Sequence, residues 1–196
     1  MNMIQKINEV IAKQSNGTID AENIYIIDYK NINGGDVEII ENQPIHNCVH
    51  LTNENKVNVH YVAFKENALK VNTQEGQVKQ CECVLFPTSL NADDWVLFIE
   101  TKYTSNLKTA LDEKVDYPNT MIAQIISTVS YFRNNGILPT DKKVFAIVSF
   151  PKLIEAFSEA FFTRSTLTRE EISVKHKILI SPTNEGIIKS QTRIKI

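Results

Sequence analysis

The chain is short of features that would place it at once. It holds three cysteines among 196 residues. That odd number argues against a disulfide framework and fits a reducing, cytoplasmic location. Neither charge is in excess: 21 Lys and Arg against 23 Asp and Glu leave a net charge of −2. Any grip on a polyanion therefore has to come from a local basic surface, because phosphate contacts supply most non-specific affinity. No apolar run follows the opening Met1-Asn-Met-Ile-Gln-Lys, so a secretory signal is not expected. No stretch is long enough to span a bilayer, and no membrane partner is expected. There is no internal repeat and no low-complexity linker. Apolar residues make up 42% of the chain, an ordinary share, and a single domain over residues 1–196 can bury a substantial core.

The most informative stretch is Trp95 to Tyr103. Side chains alternate along a strand, so Val96, Phe98, Glu100 and Lys102 share one face, and Leu97, Ile99, Thr101 and Tyr103 the other. Both faces are mostly apolar, the mark of a strand covered on both sides. An acid and a lysine two residues apart on such a strand need an explanation, since burying either alone is costly. A metal ion bound by the acid, with the lysine beside it, accounts for both. The preceding β-rich run, Lys79 to Phe86, has one acid, Glu82, on a face with Val84 and Phe86. Pro87 to Asp94 is polar and turn-like, so the two runs are expected to form an antiparallel hairpin with Glu82 beside Glu100 and Lys102. Asn119 to Asn134 reads as a helix behind Pro118, ended near Gly136, with Met121, Ile125, Val129 and Phe132 as its apolar stripe. Val144 to Phe150 is a near-continuous apolar run, the sign of a central strand.

This order resembles the PD-(D/E)xK nuclease superfamily: an acid in one strand, Glu-x-Lys in the next, then a helix and an apolar strand. The resemblance covers residues 78–150. One departure is that the family usually has Asp where this chain has Glu82. Glutamate still offers two hard oxygens to Mg²⁺, on a longer stem. The resemblance implies a restriction-endonuclease-like core of the α+β or α/β class, a central mixed sheet flanked by helices. It implies Glu82 and Glu100 as ligands of Mg²⁺ or Mn²⁺, with the Thr101 backbone carbonyl as an additional ligand. Lys102 would position the attacking water or stabilise transition-state charge. Gln124 resembles a helix glutamine that several branches of the superfamily place beside the active site. DNA is the default substrate, with RNA as the alternative.

Residues 1–77 read as an N-terminal elaboration. Met3 to Gln14 has helical periodicity; Glu9 on it reads as a solvated acid. Ile24–Tyr29 and Val37–Glu41 flank the hairpin signal Asn33-Gly-Gly-Asp36. Ile45–Leu51 and Val57–Phe64 flank Thr52 to Asn55. Together these four runs predict an antiparallel meander, an extra sheet suited to substrate recognition or to homodimer formation. His46, Cys48 and His50 alternate on one face. Two of them would stand about 13 Å apart at a rise of about 3.3 Å per residue, too far to share a zinc ion, so no zinc site is expected. Cys81 and Cys83 read as small buried hydrophobes. The polar stretch Thr104 to Pro118 has room for a short helix or a loop over the site.

Residues 151–196 read as helices and strands: a helix over Pro151–Thr163, a capping box at Thr168-Arg-Glu-Glu171, and strands over Lys177–Ser181 and Gly186–Ile196. The last strand puts Lys189, Gln191, Arg193 and Lys195 on one face. That basic face suits a nucleic-acid backbone; it equally suits an edge charged against aggregation. The sequence thus favours a metal-dependent nuclease. The alternatives are a catalytically inactive protein of the same fold that binds nucleic acid or a protein, and an unrelated fold in which Glu100 and Lys102 form a structural ion pair.

Overall fold

The computed structural model describes residues 2–69, 79–89, 91–153 and 156–196. Val78, at the start of the expected core, and Ile154, expected on the buried side of a helix, lie outside them.

The chain opens with helix α1 (Met3–Val10), started by a capping box between Asn2 and Gln5. The helical pattern was expected to run to Gln14, but Gln14 instead begins strand β1 (Gln14–Ile19). That strand has no apolar alternation of its own and is held by antiparallel pairing to a later strand. β2 (Asn23–Asp28), a 3-10 turn (Tyr29–Asn31) and β3 (Val37–Ile40) form the expected hairpin. β4 (Val49–Asn53) pairs antiparallel with β2. The predicted four-strand meander fails twice: β4 lies beside β2 rather than β3, and the next strand, β5 (Val59–Phe64), joins a different sheet. The buried side chain of Asn53 makes the switch. Its amide donates to the Ala21 carbonyl (3.1 Å) and the Val57 carbonyl (2.9 Å), and its oxygen accepts from the Val57 N–H (2.9 Å). With those backbone groups satisfied by a side chain, the strand is released from its sheet.

β6 (Cys83–Pro87) and β7 (Leu97–Thr101) are adjacent antiparallel strands, as expected. A short helix α2 (Leu107–Ala110) lies in the polar stretch, and the long helix α3 (Tyr117–Asn134) leads to β8 (Val144–Ser149), parallel to β7. Gly136 sits in the left-handed region at φ +65°, and the Ile137 N–H bonds the Phe132 carbonyl at 2.8 Å, closing α3. The helix predicted over Pro151–Thr163 is shorter, α4 (Ser158–Thr163). The Asn184 amide takes the carbonyls of Phe150 (3.1 Å) and Leu153 (3.2 Å), which a helix starting at Pro151 would need. α5 (Arg169–His176) carries the predicted capping box, and β9 (Ile178–Pro182) follows it. The last predicted strand is two, β10 (Glu185–Ile188) and β11 (Ile194–Lys195), folded back on each other.

The class is α+β: two mixed sheets and, among the described residues, five α-helices. The six-stranded sheet runs β1-β5-β6-β7-β8-β9, antiparallel up to β7 and parallel from β7 to β9. The five-stranded sheet runs β11-β10-β4-β2-β3. The layers stack as helices, large sheet, small sheet. Val84, Val96, Phe98 and Val148 of the large sheet are buried with Ile7 of α1, Phe132 of α3, Phe161 of α4 and Ile172 of α5. Cys83, Leu85, Leu97, Ile99 and Ile147, pointing the other way, are buried with Ile24, Ile26, Val49 and Leu51 of the small sheet. This double cover is why β6 and β7 read as continuous apolar runs. Cys81 departs from the predicted alternation. It is buried on the helix side, whereas Cys83 faces the small sheet, because regular strand geometry begins only at Cys83.

Phe132 fastens α3 to the strands beneath, edge-on to Phe98 (5.3 Å) and Phe64 (6.0 Å) and without exposure. Phe132→Ala is expected to lower unfolding free energy by about 3–5 kcal/mol, through lost burial and a residual cavity. Urea denaturation followed by circular dichroism checks this.

Candidate active site

The strand ends determine what comes together. β6 and β7 pair Cys83 with Ile99, which sets Glu82 beside Glu100 just beyond. The Glu82 N–H donates to the Ile99 carbonyl (3.0 Å), and its own carbonyl accepts from the Phe64 N–H (2.9 Å), so its backbone is fixed between two strands. Glu100 lies on the face of Phe98, the side expected from alternation, and is fully buried. Lys102 follows on the same side and donates from Nζ to Glu100 Oε1 at 2.6 Å. Glu82, Glu100 and Lys102 thus meet at one end of the six-stranded sheet.

Two further residues join them that the sequence reading did not select. Asp28, the fully buried last residue of β2, accepts a hydrogen bond from Thr101 Oγ1 at 3.3 Å. It also caps the 3-10 turn, accepting from the Lys30 N–H (3.0 Å) and from the Asn31 side-chain amide. Lys30 reaches around the end of the large sheet, with Nζ at 2.8 Å from Glu82 Oε2 and 3.0 Å from the Phe64 carbonyl. A signal for this was in the sequence. Asp28-Tyr-Lys30 has the same acid-x-lysine spacing as Glu100-Thr-Lys102 and also ends an apolar run.

The cluster therefore holds three carboxylates and two ammonium groups. Burial, then repulsion from Glu82, pushes the Glu100 carboxyl up to about 8, against the pull of Lys102. Burial and the charge of Asp28 likewise raise Glu82, with Lys30 opposing. Burial alone would lower both lysines, but the facing carboxylates outweigh it and hold Lys30 and Lys102 above the usual lysine value. Glu100 Oε2 is buried and has no hydrogen-bond partner among the described residues, which leaves a hard oxygen donor free of them. Paired carboxylates with such a free oxygen suit Mg²⁺ or Mn²⁺. Among the described residues no three Asp, Glu, His or Cys are already arranged as a metal cage; lysines engage Glu82 and Glu100 instead.

The other selected residues fall elsewhere. Gln124 donates to the Gln80 carbonyl at 2.8 Å, so it steadies the segment leading into Glu82 and does not point at the carboxylates. Thr101 enters through its hydroxyl. Glu9 is exposed. His46 and Cys48 precede β4, so they do not share a strand face with His50 as predicted; His50 stacks on Tyr25 and bonds Asn23. Lys189, Arg193 and Lys195 are not on one continuous strand face either. Residues 189–193 form a turn, in which the Lys189 and Ser190 N–H groups both bond the Arg193 carbonyl. All three nevertheless line one cavity of about 400 Å³ with Arg169, over an apolar floor that includes Phe145 and Leu179. Lys189 is paired with Glu54 at 3.5 Å. Phe145 packs with the small-sheet side of the core and Ile180 with the helix side, so this basic cavity sits at the β9 edge of the large sheet, and its lining includes none of the three carboxylates.

A carboxyl raised by burial binds its proton more tightly folded than unfolded. Stability must therefore fall as pH rises from the ordinary carboxylate value of 4.5 to about 8, and level off above. The raised lysines stabilise the fold fully below their ordinary value of 10.5 and lose that contribution only above it, outside that window. Glu100→Gln should flatten the slope, removing a loss on the order of a few kcal/mol. Thermal melts at pH 5 and pH 8.5 in chelator read the difference. Compared with known proteins, the chain matches no family model, no curated protein and no solved structure.

Proposed function

We propose that the protein is a divalent-metal-dependent nuclease of the PD-(D/E)xK type, acting on DNA by default. What carries this reading is the convergence of Glu82, Glu100 and Lys102 at one sheet end, with Glu100 Oε2 unpartnered among the described residues. The order β6, β7, α3, β8, with β7 and β8 parallel, supports a restriction-endonuclease-like core. Glu82 and Glu100 would hold Mg²⁺ or Mn²⁺. Bound there, such a cation would supply Lewis-acid chemistry, polarising a phosphate and lowering the pKa of an attacking water. Lys102 places a cation 2.6 Å from Glu100, where it would orient the water or offset charge growing on the phosphate oxygens. Gln124 contributes by holding Gln80 and so the position of Glu82.

A second reading, an inactive binding protein of the same fold, is favoured by one observation: each of the central acids already has a lysine against it. Cleavage of varied DNA and RNA with Mg²⁺ and Mn²⁺ separates the two. For the nuclease, Lys102→Ala should cut the rate by two orders of magnitude or more, about 3 kcal/mol of transition-state stabilisation, while sparing metal binding. Glu100→Ala should lose both. If wild type cleaves neither polymer, the nuclease reading fails.

The basic cavity gives a separate expectation. If it contacts phosphates, Arg193→Ala with Lys195→Ala weakens binding to all sequences alike and flattens its salt dependence. Binding isotherms across a salt series measure this, and an unchanged slope would assign both residues to solubility.

A further inference from the structure

Lys30 is the member of the cluster that the catalytic reading does not use. It comes from the small sheet, not from the strand pair that carries Glu82, Glu100 and Lys102. Its backbone is tied to that pair through Asp28, which accepts its N–H (3.0 Å) while also accepting from Thr101 at the end of β7 (3.3 Å). With its backbone so held, its ammonium sits 2.8 Å from Glu82 Oε2. Glu82 has a second buried carboxylate, Glu100, as its neighbour across the strands. A point between two such carboxylates is where a divalent cation gains most, and the Lys30 ammonium already claims one of them. Its side chain is 26% exposed, against 10% for Glu82, so the lysine is the member of the pair with a path towards solvent.

We propose that Lys30 is an internal competitor for a divalent-cation site at Glu82 and Glu100, holding Glu82 in the metal-free protein and leaving it when the cation binds. Asp28 is then a positioning residue: its two oxygens are spent on the turn and on Thr101, and its role is to aim Lys30. The competition is electrostatic, one monovalent charge against one divalent charge for the same oxygen. This inference rests on the cation site of the proposed function but not on cleavage.

The test is Mn²⁺ titration by calorimetry, at fixed pH and salt, on wild type, Lys30→Met, Lys30→Arg and Glu82→Gln. Lys30→Met keeps the length of the side chain without its charge and should bind Mn²⁺ about tenfold tighter or more. Lys30→Arg keeps the charge and should bind no tighter than wild type. Glu82→Gln should lose the site. Circular dichroism establishes that each variant is folded; if Lys30→Met is not, Lys30→Gln gives the same reading. Equal or weaker binding by the uncharged variant overturns the proposal, as does failure of that variant to bind Mn²⁺ at millimolar concentration. Tighter binding with no cleavage by any variant would sink the nuclease reading and leave the competitor standing.

Discussion

The large sheet is covered on both faces, by helices on one and by a second sheet on the other. That leaves the strand ends as the place where its central strands can present polar groups. Glu100 is the penultimate residue of β7 and is fully buried, so its carboxylate bears nearly the whole cost of leaving water. The chain offsets the cost with cations from two directions: Lys102 from the same strand and Lys30 from the other sheet. Such ion pairs return little net stability compared with apolar packing. Their presence at the end of an otherwise apolar strand supports the proposed function.

The second sheet matters for the same reason. It seals the back of β6 and β7, and the end of β2 brings Asp28 against Thr101 and Lys30 against Glu82. A cover and a site component are thus one element. At the β9 edge, the turn between β10 and β11 gathers basic residues around a cavity whose lining includes none of the carboxylates. The two charged features are independent parts of the molecule, and each has its own chemistry.

Much of the site was legible because strand alternation is local. Glu82, Glu100 and Lys102 each sit next to apolar neighbours that report the same face, and the connection between their strands is short enough to impose pairing. The apolar stripe of α3 and the capping box at Thr168 are local signals of the same kind. Lys30 was missed although its spacing from Asp28 matches that of Lys102 from Glu100, because nothing near it in sequence says that β2 ends against β7.

The sequence by itself determined most of the elements and the faces they bury, since these follow from side-chain period and backbone capping within a few residues. Beyond the hairpins β2–β3 and β6–β7, tertiary structure decided which strands share a sheet. β1 exists through its partner β5, the predicted meander divides where Asn53 satisfies the backbone, and the basic residues of the last segment face one cavity only because it folds into a hairpin. Pairing partners tens of residues apart are chosen by the best total burial and hydrogen bonding of the whole chain. The same long-range choice sets Lys30 against Glu82, 52 positions away.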